Sequence, residues 1–120
     1  MSTAPDASRP SNQELVQTVR TLREEIRTLD VKVSQLIRDS EEYGVVMETL
    51  KKAEPSRKCF RLIGGVLVAR TVEDILPGLD QQKTNIDEVS KSLASHYQKK
   101  GVELQEYQKK WNIKITNAPL

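Results

Sequence analysis

A heptad run limits what this chain can become more than any other feature. Stepping alternately by four and three residues from Leu15 meets Val19, Leu22, Ile26, Leu29, Val33, Leu36, Ser40, Tyr43, Met47 and Leu50, and only Ser40 in the series is polar. A repeat of 3.5 residues confines a helix's apolar surface to one narrow seam, which is buried only against another helix. Leucine fills most d positions, while valine and isoleucine favour a. The segment is therefore a coiled-coil helix that needs a partner, in this chain or in another.

Both ends of the run are signposted. Ser11 and Glu14 have capping-box spacing, in which each side chain satisfies the other residue's orphan backbone N–H. Pro55 closes the run, because a proline disfavours helical geometry in the residue before it. Gly44 is a weak point inside, costing about 1 kcal/mol relative to alanine.

A second seam follows through Ile75, Leu79, Gln82, Ile86, Val89, Leu93, Tyr97, Lys100, Leu104, Tyr107 and Trp111. Two successive steps of four, Val89 to Leu93 to Tyr97, read as a stutter that locally unwinds a supercoil. Thr71 and Asp74 supply a weaker capping signal, and Pro77-Gly78 is expected to bend or briefly interrupt the first turns. Each arm is a helix of about 60 Å at roughly 1.5 Å per residue. Arms of equal length can fold back on each other. Antiparallel pairing sets Leu50 near Ile75, Leu36 near Val89, Leu22 near Leu104 and Leu15 near Trp111, with both termini at one tip and the connecting segment at the other end.

That connection, RKCFRLIGGVLVART over residues 57–71, has hairpin chemistry. Gly64-Gly65 tolerates the positive φ angles of a two-residue loop between two apolar strands. The expected pairs are Ile63 with Val66, Leu62 with Leu67, Arg61 with Val68 and Phe60 with Ala69. One face then carries Phe60, Leu62, Leu67 and Ala69, and the other carries Cys59, Ile63, Val66 and Val68 with Arg61 and Arg70. An isolated hairpin is marginal in water and exposes two unpaired edges. With no other strand in the sequence pattern, other chains have to complete the sheet.

Composition agrees with an assembly rather than a self-sufficient globule. The chain has 120 residues, 37% of them apolar, 4% aromatic and 30% charged, too polar to bury a sizeable core alone. The 19 Lys and Arg nearly balance the 17 Asp and Glu, so the total charge requires neither nucleic acid nor an acidic membrane. Residues 55–71 nevertheless hold Arg57, Lys58, Arg61 and Arg70 with no acid. One cysteine, Cys59, has no internal partner for a disulfide, and no apolar run approaches the roughly 20 residues of a membrane span. MSTAPDASRP lacks the apolar core of a signal peptide, and the expected setting is a reducing compartment.

The run KCFRLIGGVLVARTVEDILPGL between two long amphipathic helices resembles the β-class subunits of the prefoldin family in eukaryotes. The likeness extends over residues 11–115 and is most specific from Cys59 to Pro77. A single hairpin, where α-class subunits have two, favours the β class. The fold expected is mainly α: a long antiparallel two-helix coiled coil, with helices at about 11–53 and 72–112, joined by one β-hairpin at about 57–71 that enters an intersubunit β-barrel. Residues 1–10 and 116–120 are expected to be disordered flanks. The resemblance implies a hetero-hexamer in which this chain joins two α-class and three further β-class subunits. Such complexes bind unfolded clients, actin and tubulin above all, at their coiled-coil tips and pass them to the cytosolic chaperonin without ATP hydrolysis. Cytoplasmic location follows from the same likeness, with no cofactor, nucleic acid or membrane.

Site residues follow from these two levels. Cys59, Phe60, Leu62, Ile63, Val66, Leu67 and Val68 are the subunit-interface candidates around the Gly64-Gly65 turn. At the tip, a seam residue in the last turn has only one neighbouring layer, so its apolar surface is expected to stay partly open. Leu15, Val16, Val19, Leu22, Leu104, Tyr107, Trp111, Ile113 and Ile115 are the client-binding candidates, Trp111 and Ile115 lying where the helix is expected to fray. The plainer alternative is that these side chains only close the coil.

The remaining chemistry-bearing residues carry no catalytic pattern. His96 has no ligand-spaced neighbours, Cys59 has no histidine partner, and Gly64-Gly65 lacks the lysine and hydroxyl of a phosphate loop. Lys99-Lys100 and Lys109-Lys110 fit solvated faces, or attraction for acidic segments of clients or of the chaperonin. A structural coiled-coil adaptor without client binding is the alternative function. A nucleic-acid module fits less well, because Phe60 is the only stacking residue beside the hairpin's cations.

Overall fold

The computed structural model describes residues 7–114. Its elements are α1 (Asn12–Lys51), β1 (Lys58–Ile63), β2 (Val66–Thr71) and α2 (Val72–Trp111). The fold is thus mainly helical, with a two-stranded antiparallel hairpin between two 40-residue helices. Two compact units divide the chain, one formed by residues up to Val31 together with those from Ala94, the other by Lys32–Leu93.

In the Lys32–Leu93 unit, the connection after α1 caps the start of α2. Val72 donates its N–H to Arg57 O and Glu73 donates to Pro55 O, both at 3.0 Å, while Asp74 N–H reaches Thr71 Oγ1 at 3.2 Å. Three of the donors that a helix start leaves orphaned are satisfied in this way. Val72, only 1% exposed, is buried at this junction. The expected interruption at Pro77 does not occur, and α2 continues through it. The missing N–H removes one bond, to the carbonyl of Glu73 four residues back, and the external caps hold the turn that precedes it.

The seam of this unit also differs from expectation. Met47 and Ser40 are buried on α1, while Ile75, Leu79, Lys83, Ile86, Ser90 and Leu93 are half-buried on α2. Gln82 is exposed and Val89 is 49% exposed. Alternate steps of four and three therefore continue from Leu79 with no stutter, placing Lys83 and Ser90 where Gln82 and Val89 were expected. The helix keeps its period, and the polar residues are accommodated by bonding. Lys83 Nζ donates to Ser40 Oγ at 3.0 Å and lies 3.1 Å from Asp87 Oδ2, and Ser40 Oγ donates to Asp87 Oδ1. These hydrogen bonds hold the Asp87 carboxyl below its ordinary value, Ser40 contributing most and Lys83 next.

In the other unit, Leu15, Val19 and Leu22 are buried, and Ile26 and Leu29 are half-buried. The capping box forms as the sequence predicts, with Glu14 N–H donating to Ser11 Oγ and Ser11 N–H to Glu14 Oε2, both at 3.1 Å. Lys100, half-buried on α2, pairs with Glu25 Oε2 of α1 at 2.9 Å and with Glu103 at 3.5 Å. Its pKa is raised, first by the hydrogen bond to Glu25 and then, against the desolvation that opposes it, by the charge of Glu103. The pairs Glu25–Lys100 here and Ser40–Asp87 in the Lys32–Leu93 unit fall on the antiparallel register expected from the sequence.

Candidate functional site

The hairpin register matches the four predicted pairs, Phe60 with Ala69, Arg61 with Val68, Leu62 with Leu67 and Ile63 with Val66, and extends beyond them to Cys59 with Arg70 and Lys58 with Thr71. Gly64 and Gly65 have φ of 54° and 80°, the left-handed values that a two-residue turn of this type requires and that other residues rarely adopt. Alternation along the strands separates two faces. Phe60, Leu62 and Leu67 are 65–70% exposed on one of them. Both edges of the two-stranded sheet are open, and no third strand exists among the described residues. Large apolar side chains on an uncovered sheet with unpaired edges are the features of a docking surface.

The opposite face is different. Cys59 and Val68 are half-buried there and, with Arg61, Ile63 and Arg70, line a groove of about 420 Å³. Its floor comes from the helices, chiefly Tyr43, Val46, Leu50, Ile75 and Leu79. Of the seven interface candidates, five are exposed and Cys59 and Val68 turn toward this groove. Cys59 is a free thiol.

At the ends of α1 and α2 that belong to the other unit, the structure corrects one expectation. Leu15 is 5% and Trp111 9% exposed, and Val19 and Leu22 are equally covered, so the last seam layer is closed. The reason is that α2 does not fray. Asn112 adopts a φ of 52°, its N–H donates to Lys109 O at 3.3 Å, and Ile113 N–H donates to Gln108 O at 2.9 Å. This is the paired-bond C-cap that satisfies the final carbonyls, with asparagine in the left-handed position usually taken by glycine. Arg9 Nη1 donates to Trp111 O at 2.9 Å, and Lys110 Nζ lies 5.0 Å from the centre of the indole ring. Residues 7–9 form a turn, and their side of the unit is tied to α2 by that bond.

Among the other tip candidates, Leu104, Tyr107 and Ile113 are half-buried, and Val16 is 50% exposed. Ile115 lies outside the described residues. The sequence reasoning passed over Val102, which is 51% exposed in the same unit; its apolar character off the heptad seam was the available signal. No group of His, Cys, Asp or Glu among the described residues is arranged to hold a metal ion, and no described helix is long and apolar enough to cross a membrane.

Comparison with known proteins agrees with this architecture. A family model described as "Prefoldin subunit" matches residues 13–118. Prefoldin subunit 2 of Homo sapiens is 38% identical over 105 residues, covering 88% of this chain and 68% of that protein. Probable prefoldin subunit 2 of Drosophila melanogaster is 40% identical over 120 residues, covering 100% and 84%. Prefoldin subunit 2 of Arabidopsis thaliana is 33% identical over 107 residues, covering 89% and 72%.

Proposed function

Since the chain belongs to the prefoldin subunit family, we propose that it is a β-class subunit of a hexameric, ATP-independent co-chaperone in the cytoplasm. It assembles with two α-class and three further β-class subunits. Its hairpin contributes two strands to an intersubunit β-barrel through Phe60, Leu62, Ile63, Val66 and Leu67, with Cys59 and Val68 behind them. The free ends of its helices contact unfolded proteins such as actin and tubulin, and the complex passes these to the cytosolic chaperonin. No catalytic step, cofactor or metal is part of the proposal.

One observation carries the assembly: a two-stranded sheet with a bare apolar face has no stable existence alone in water. The adaptor alternative requires heptads left free for another protein, whereas within each unit the seam of α1 is engaged by α2, through Lys100 with Glu25 in one and Lys83 with Ser40 in the other.

The deciding experiment is co-expression with the sister subunits and measurement of size. A defined hexamer containing one copy of this chain is expected, and Leu67→Asp is expected to abolish its incorporation. A stable, monodisperse monomer whose hairpin amides resist hydrogen exchange would overturn the proposal.

A further inference from the structure

The hairpin concentrates charge of one sign. Arg57, Lys58, Arg61 and Arg70 are exposed, and none forms an ion pair among the described residues. Arg61 stands opposite Val68 and Arg70 opposite Cys59, so the two guanidiniums share the groove-side face at diagonal positions, one on each strand. Asp74 is the one carboxylate lining that groove, and it pairs with neither.

Resting on the assembly reading above, we propose that the hairpin selects its neighbour by charge. Arg61 and Arg70 accept a sister chain's strand that carries carboxylates and reject a second copy of this chain.

Edge geometry brings these charges into the choice of neighbour. A strand added to β1 or β2 brings its side chains within about 4.5–5.5 Å of their cross-strand partners, measured between Cβ atoms. Each open edge presents one of the two guanidiniums on the same face. If the added strand came from a second copy, no register could set a carboxylate beside these cations, because residues 55–71 contain no Asp or Glu, and the registers that align the two copies' arginines would oppose like charges. Directly opposed like charges destabilise a strand pair, and placing repulsion against the wrong partner is an effective route to specificity. The apolar outer face, by contrast, carries no such discrimination, since Phe60, Leu62 and Leu67 would pack equally well on any apolar sheet. Apolar burial thus supplies the drive to assemble, and the two arginines supply the choice of partner.

The test is a competition inside the full complex. Wild-type chain and Arg61→Glu/Arg70→Glu chain, distinguishably tagged and present in equal amounts, are co-expressed with the complete set of sister subunits, and their ratio in the purified hexamer is read by mass spectrometry. Reassembly of the same mixture from denatured subunits then gives the salt dependence. At low salt the wild type is expected to be favoured about tenfold, with the preference shrinking toward unity near 0.5 M salt. Arg61→Gln/Arg70→Gln, which removes charge without reversing it, should fall between the two. Measured alone by sedimentation, the Gln variant should self-associate more than the wild type, because the Glu variant would again set like charges against each other between copies. Equal incorporation of the Gln variant and wild type at low salt would overturn the inference, as would a preference that salt leaves unchanged. Leu67→Asp in the same competition separates the two levels. If it incorporates like the wild type, the assembly reading itself fails; if it is excluded while both arginine variants compete equally, only the selection by charge fails.

Discussion

Lys83 reaches from α2 to the buried hydroxyl of Ser40 on α1, its Nζ 3.0 Å from Oγ. Ser40 passes its own proton toward Asp87, which Lys83 also contacts. The one polar residue in the first seam is therefore fully bonded, and its partners lie one helical turn apart on the facing helix. A satisfied polar layer in an apolar seam specifies register more than it adds stability.

Removing the hydroxyl should expose that distinction. Ser40→Ala is expected to lower unfolding stability by about 1 kcal/mol, the usual net value of a buried hydrogen bond. Ser40→Leu combined with Lys83→Leu should be neutral or stabilising, but should permit shifted helix pairings. Thermal unfolding followed by circular dichroism gives the first result, and the spread of disulfide cross-links between cysteines introduced on α1 and α2 gives the second. A double leucine variant confined to one register would show that other layers set the alignment.

Acid and alkali should act on different units. Asp87 has a folded pKa below its ordinary 3.8, so it binds protons less readily in the folded state; its stabilising contribution is full above that value and is lost as pH falls through the lower, folded pKa. Lys100 has a folded pKa above its ordinary 10.5, so its contribution is full below that value and is lost as pH rises through the higher one. Asp87→Asn should flatten the acid limb of the stability profile and leave the alkaline limb unchanged. Lys100→Met should do the reverse, and both limbs should shallow in high salt, the acid limb more, because Asp87 is exposed whereas Lys100 is half-buried.

Most of the architecture is legible because each of its elements depends on a local rule. The Ser11–Glu14 box, the Gly64-Gly65 turn and the strand pairs around it require nothing beyond spacing and backbone geometry, and all of them form. Where the sequence misleads, a tertiary partner decides. Counting apolar residues selects Val89 and inserts a stutter, whereas the helix keeps its period and places Ser90 in the seam. Lys83 looks like a surface residue until Ser40 and Asp87 are brought beside it. Pro77 is tolerated because Arg57 and Pro55, distant in type from any capping motif, supply carbonyls to the first turn. By position alone Trp111 stands at a fraying end, whereas Asn112, a residue type that tolerates the left-handed conformation, caps the helix there.

Glycines 44, 64 and 65 should respond oppositely to alanine. A Cβ at Gly44 would meet Lys83 Cε at 3.5 Å, an ordinary contact, so Gly44→Ala is expected to stabilise α1 by up to about 1 kcal/mol through helix propensity. Gly64→Ala and Gly65→Ala have open space around them but positive φ, and each should destabilise the hairpin by about 1 kcal/mol or more. Incorporation into the hexamer after thermal challenge would rank the three, and a gain at either turn position would contradict the backbone argument.

The closed end of the coil allows client contact to be separated from coil closure. Trp111 is buried and its carbonyl is held by Arg9, so Trp111→Ala should lower stability by about 3 kcal/mol, at the lower end for truncating a buried aromatic. Any loss of client holding that accompanies it would reflect an opened end. Val16 and Val102 are about half exposed in the same unit and support no seam layer, so Val16→Ser with Val102→Ser should change stability by no more than about 0.5 kcal/mol. Under the proposed function, the double serine variant should still assemble and should suppress aggregation of a denatured client less well than the wild type. Six arms share the load and multiply weak contacts, so the comparison is best made in hexamers whose other subunits are truncated at their tips. If the serine variant protects the client fully there, these two exposed valines are not the contact, and the half-buried Leu104, Tyr107 and Ile113 become the residues to change next.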